Sequence, residues 1–184
     1  MKYPVSGTIK LQFNFDGLPL FKSSTTELWP ILCLVTGVRS KPFVVGIYSG
    51  KKKPKKLDEF LYDFVEDLRT LLFHGIVLDN VQRTIEVHCF VCDAPARSYI
   101  KNVKLYSGCE KCEQEGEYIA GKVTFPLTSA RLRTDDSFRQ MTDDEHHHGP
   151  SPLTTLGFQQ MTQATQEHNH SAQCCDKIED NRVR

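Results

Sequence analysis

Thr8-Ile9-Lys10-Leu11-Gln12-Phe13-Asn14-Phe15-Asp16-Gly17 is the stretch whose reading decides the fold. Ile9, Leu11, Phe13 and Phe15 point one way, and Thr8, Lys10, Gln12, Asn14 and Asp16 the other. A period of two is the mark of a strand with one apolar face. Asp16 closes the polar face at the strand end and is followed by glycine. Two readings compete there. Asp-Gly is a common turn pair. A carboxylate at a strand end is also rigidly held and open to a ligand.

Outward from this strand, the 184 residues suffice for one domain with a real core. Lys+Arg and Asp+Glu balance at 23 each, so net charge points to neither an acidic nor a basic partner. The charge is uneven, however. Lys51-Lys52-Lys53-Pro54-Lys55-Lys56 is a compact basic run, readable as a solvated loop, a nuclear-localisation signal or a phosphate-contacting patch. Seven cysteines is an odd count, and no apolar signal segment opens the chain. Both argue against a secreted disulfide framework and for the nucleus or cytosol. No apolar run reaches the roughly 18 residues of a membrane span, so no membrane partner is expected.

A second apolar run over 28–35 and a third over 43–48 predict an antiparallel meander with the first strand. Leu57, Phe60, Leu61, Phe64, Val65, Leu68, Leu71 and Leu72 then recur at steps of three and four, the period of an amphipathic helix. Acids early, Arg69 late and Gly75 at the end suit its dipole and its stop. Thr84-Ile85-Glu86-Val87-His88-Cys89-Phe90-Val91-Cys92 predicts a fourth strand with Ile85, Val87, Cys89 and Val91 on one face. Asp93 follows as the N-cap of a helix to about residue 103, with Pro95 in its first turn. A short strand over 122–125 comes later. From residue 154 Gln, Thr, His and Asn dominate, the composition of a disordered tail. The expected fold is α/β with a mixed sheet in the order β-β-β-α-β-α. The expected division is a core over 5–105, a Cys/His insertion over 106–153 and the tail over 154–184.

An acid thus ends the first strand and another ends the fourth. A right-handed crossover lays the fourth strand parallel to a strand of the meander. If that neighbour is the first strand, Asp16 and Asp93 meet at one sheet edge, where two carboxylates can hold Mg2+. Two such ions about 4 Å apart activate a water and stabilise a leaving phosphate oxygen. The competing reading leaves Asp93 as a helix cap alone.

Phe13-Asn14-Phe15-Asp16-Gly17-Leu18-Pro19-Leu20-Phe21, Trp29-Pro30-Ile31-Leu32 and Asp93-Ala94-Pro95-Ala96-Arg97, followed by Gly-Cys-x-x-Cys, resemble the catalytic core of DDE transposases. The nearest group is the CACTA-like, or tnp2-type, transposase-derived proteins. The likeness runs from about residue 5 to about residue 153. It implies an RNase H-like fold, two-metal DNA strand cleavage and joining, and DNA ends as substrate. Asp16 would be the first catalytic acid and Asp93 the second. The family also carries a C-x2-C after the second acid, with histidines further on. Cys109 and Cys112 with two of His146, His147 and His148 are therefore candidate Zn2+ ligands, in a segment too small to pack a core unaided. The histidines lack the usual His-x3-5-His spacing. Cys33 and Cys89 read as core, Cys92 as packing, and His74 and His88 as structural. Cys174 and Cys175 carry no ligand spacing.

A DDE nuclease needs a third acid on a later helix, and the chain departs from the family pattern at about residue 154. Glu145 and Asp144 lie in the insertion and do not match it. No end-recognition zinc finger or helix-turn-helix is found. The expectation is a truncated, catalytically incomplete domain with residual DNA binding, and with an exposed apolar sheet face open to self-association. An active metal-dependent nuclease and a non-catalytic zinc interaction module are the alternatives.

Overall fold

The computed structural model describes residues 7–21, 25–105, 108–127 and 129–157. The expectation of a disordered tail lies almost wholly outside them. The chain divides into two compact units. The first is Met1–Ile100 with Ser151–Leu156, and the second is Lys101–Pro150 with Gly157–Arg184. No helix among the described residues is long and apolar enough to cross a membrane.

The first unit is a mixed α/β structure. Its strands are β1 (Thr8–Phe15), β2 (Leu18–Pro19), β3 (Glu27–Val35), β4 (Phe43–Gly50), β5 (Ile76–Leu78) and β6 (Val81–Cys92). Helix α1 (Leu57–His74) follows β4, and α2 (Ala94–Lys101) follows β6. β3 pairs antiparallel with β1, β2 and β4, and β6 pairs parallel with β1. β1, β4 and β6 therefore all end at one edge of the sheet. With the short β2 and β5 set aside, the succession is the expected β-β-β-α-β-α.

The alternation of β1 is realised: Ile9, Leu11, Phe13 and Phe15 are buried, and the residues between them are not. α1 covers that face. Phe64 meets Phe13 and Phe15 edge-on, with ring centroids 5.0 and 5.5 Å away. Leu57, Leu61, Val65 and Leu68 are buried beside it. Each contributes about 1.5–3 kcal/mol when fully withdrawn from water. Gly75 ends α1 with φ 66, and its N–H donates to the Leu71 carbonyl. A 3-10 turn over Pro152–Leu156 returns to α1, where the Arg69 guanidinium donates to the Thr155 hydroxyl at 2.9 Å.

β6 differs from its sequence expectation. Leu11 pairs with Val87 and Gln12 with Cys89, so His88 is an extra residue in a bulge. One inserted residue reverses the side-chain phase. Ile85 and Val87 align with Ile9 and Leu11, but beyond the bulge Phe90 and Cys92 align with Phe13 and Phe15. Cys89 and Val91 consequently leave the apolar face to which alternation assigned them, and Val91 is exposed. Phe90 takes the place, with its ring centroid 5.9 Å from Phe13.

The second unit has β7 (Glu117–Ile119) and β8 (Lys122–Thr124) as a hairpin, and α3 (Asp135–Arg139) opened by a Thr134/Ser137 capping box. Cys109, Cys112 and Phe125 form a small buried cluster, with Val123 and Ala130 against it.

Candidate functional site

Phe15 faces Cys92 as the last pair of the parallel β1/β6 ladder. Asp16 and Asp93 are the next residues on each strand, so the topology brings the two acids to adjacent strand ends. Burial raises the Asp16 carboxyl above its usual range and the Asp93 charge adds to it, while a Gly17 backbone hydrogen bond opposes both. Each acid has a local role as well. Asp93 Oδ1 accepts the Ala96 N–H at 2.8 Å, so it does cap α2. Burial drives the Cys92 thiol, between them, up to about 11; the Phe15 backbone and Arg97 work against this, and Asp93 and Asp16 reinforce it.

Gly17 leaves room for Trp29, because a Cβ there would sit 2.7 Å from Cζ2 of the indole. The Trp29 ring stands edge-on to Tyr99 of α2 at 5.2 Å. Tyr99 in turn anchors the basic loop: its hydroxyl donates to the Pro54 carbonyl at 2.8 Å, and Lys53 Nζ lies 5.1 Å from its ring centroid. Burial and Tyr48 raise the Tyr99 phenol to about 12, so it stays a donor. Lys51, Lys52, Lys53, Lys55 and Lys56, with Tyr48, Glu59 and Phe60, line an open cleft of about 700 Å3. Lys56 is paired with Glu59 at 2.6 Å. β4 delivers this loop to the same sheet edge as the acids. The lysines were legible from sequence, whereas Tyr99 and Arg97 were not singled out. For Arg97 a signal existed: four residues beyond Asp93, it lies one helical turn from the acid.

In the second unit, Cys109 and Cys112 are buried, as are His146 and His147, while His148 is exposed. Lys111 N–H donates to the Cys109 sulfur at 3.4 Å, and Gln114 Nε2 to the Cys112 sulfur at 3.1 Å. Arg133 Nε donates to the Cys109 carbonyl at 2.9 Å, and its guanidinium pairs with Asp143 at 2.6 Å. Burial alone would raise the Asp143 carboxyl, but the hydrogen bond and charge of Arg133, joined by the backbone N–H and charge of His146, together hold it low. Burial, then the Arg133 and His147 charges, hold the His146 imidazole down to about 4. Among the described residues, no three His, Cys, Asp or Glu side chains converge closely enough to hold a metal ion as they stand.

No family model, curated protein or solved structure matches this chain.

Proposed function

We propose that the chain is a transposase-derived RNase H-like domain that binds DNA at the Asp16/Asp93 edge without completing strand cleavage. The observation that carries this reading is the parallel register of β1 and β6, which ends on Phe15 and Cys92 and leaves the two acids on neighbouring strand ends. The β-β-β-α-β-α succession supports the RNase H-like assignment, together with the resemblance of the motifs around both acids. The lysine loop supports DNA as the ligand, because it leaves β4 at the same edge and offers five cations in one open cleft. Two carboxylates bind Mg2+ weakly, and two-metal cleavage depends on a complete and rigid ligand set. Hence binding, rather than turnover, is the expected activity, and the nucleus is the expected compartment.

The test has two arms. DNA binding is expected to weaken steeply with salt, as phosphate contacts release counterions. Replacing Lys51, Lys52, Lys53 and Lys55 by Ala is expected to flatten that slope. Salt-independent binding, or none, would overturn the DNA assignment. In the second arm, the parent chain is incubated with DNA and Mg2+ or Mn2+. Cleavage abolished by both Asp16→Ala and Asp93→Ala would replace this reading with that of an active metal-dependent nuclease.

A further inference from the structure

We infer that the lysine cleft takes DNA as a single strand, with unpaired bases laid on the rings of Tyr48 and Phe60. The inference rests on the DNA binding proposed for this cleft and names the form of DNA that fits it. The observation that carries it is that the cleft is not lined by cations alone. Between the five lysines, Tyr48, Pro54 and Phe60 contribute apolar surface. Tyr48 and Phe60 are each half-buried, so part of each ring stays open. A duplex shows its phosphates outward and keeps its bases paired and stacked on one another, so cations suffice to hold it. A single strand shows phosphates and bare base faces together. Aromatic side chains set in a basic groove bind that combination, because every base has a face to stack.

The fold holds both rings in place. Tyr48 is the β4 residue paired with Trp29, and Phe60 lies in the first turn of α1. The two rings meet edge-on with centroids 6.2 Å apart. Phe60 lies 6.4 Å from Tyr99, and Tyr99 lies 5.2 Å from Trp29. Four rings thus follow one another from the buried Trp29, packed on Gly17, to the cleft. The loop carrying the lysines is fixed at its middle. Pro54 is buried, and its carbonyl accepts the Tyr99 hydroxyl, while the lysines on either side of it are exposed. Lys53 is further drawn to the Tyr99 ring. The cleft is therefore formed before a strand arrives, which spares the ordering cost of building it on binding. Glu59 is the one acid among the lining residues, and it is paired with Lys56. Lys51, Lys52, Lys53 and Lys55 then meet the phosphates, and the rings meet the bases.

The full chain is titrated, by fluorescence anisotropy, into three labelled probes of equal length: an oligothymidylate, the same strand paired in a duplex, and a strand of abasic sites. The oligothymidylate is expected to bind about tenfold tighter than the duplex at equal salt, and the abasic strand to fall to the duplex level. Phe60→Leu and Tyr48→Leu are each expected to weaken oligothymidylate binding about fivefold or more. Duplex affinity and the dependence of binding on salt should not change in either variant, because the phosphate contacts remain. Phe60→Trp, which keeps an aromatic face, is expected to retain the preference. Phe73→Leu removes an exposed ring at the other end of α1 and is expected to alter neither affinity. Equal, salt-dependent binding of oligothymidylate and duplex overturns the inference and leaves the proposed DNA binding standing. So does an abasic strand that binds as tightly as the oligothymidylate. Binding of none of the three probes overturns both. Should Phe60→Leu or Tyr48→Leu fail to fold by circular dichroism, the three-probe comparison on the parent chain still decides.

Discussion

Asp16 holds an ionisable group where ionisation is opposed. Its partial burial and the neighbouring Asp93 charge both favour the protonated form, so its folded pKa lies above the ordinary 3.8. The folded chain then binds more protons than the unfolded chain between those two values. Stability contributed by this group is present below 3.8 and lost as pH rises through the folded pKa. Above its folded pKa the charged Asp16 carboxylate weakens the fold. Asp16→Asn is therefore expected to raise the thermal midpoint at pH 7, with the gain vanishing below pH 3.8, where the acid is neutral in both states. Mg2+ is expected to narrow the difference by stabilising the parent alone. Thermal melts of both proteins across pH, with and without Mg2+, measure this, and a variant less stable than the parent at pH 7 would contradict it. Gly17 is the second sensitive residue. A Cβ at 2.7 Å from the Trp29 indole has no free space, and Gly17→Ala is expected to cost about 1–3 kcal/mol in denaturant unfolding.

Among the elements, β6 shows what the sequence conveyed and what it withheld. The amphipathic period of α1 and the alternation of β1 could be read directly, because each element buries one face and its apolar residues follow the backbone period. The same rule failed in β6, where Cys89 and Val91 carried the period but the bulge at His88 handed the inner face to Phe90 and Cys92. Nothing in a string of β-favouring residues marks which one is extra. Which strands pair is a long-range property, so the meeting of Asp16 and Asp93 was legible only as a condition. β5 was missed although its signal was present: Leu78 pairs with Val81 across Asp79 and Asn80, both at positive φ, the geometry of a two-residue hairpin. Tyr99 was missed because its role rests on a hydrogen bond to Pro54, 45 residues away. The bulge makes a sharp prediction. Deleting His88 removes the extra residue, so Cys89, Phe90, Val91 and Cys92 stay opposite Gln12, Phe13, Asn14 and Phe15 and Phe90 keeps the inner face; the cost is expected to be no more than about 1 kcal/mol. His88→Ala, which removes only an exposed side chain, is expected to change stability by no more than about 0.5 kcal/mol. Denaturation midpoints measure both, and a deletion much less stable than the alanine variant would show that His88 is not the extra residue of the ladder.

For the molecule as a whole, one hydrogen bond has a consequence for how such a chain can be cut. The first unit is interrupted after Ile100 and resumes at Ser151, yet the Ser151 hydroxyl donates to the Ile100 carbonyl at 2.6 Å. The exit and re-entry points therefore touch. The resumed segment is well rooted: Leu153 is 1 % exposed, and Thr155 meets Arg69 of α1. Residues 102–150 thus form a cassette spliced between two touching points of a scaffold, and removing them leaves almost no gap to span. A chain in which a short Gly-Ser bridge replaces 102–150 is expected to keep the α/β circular dichroism of the parent and the DNA binding proposed for it. Failure of that shortened chain to fold would mean that the scaffold depends on its passenger. Success would mean that evolution, or a protein engineer, can exchange the cassette without disturbing the edge that holds Asp16.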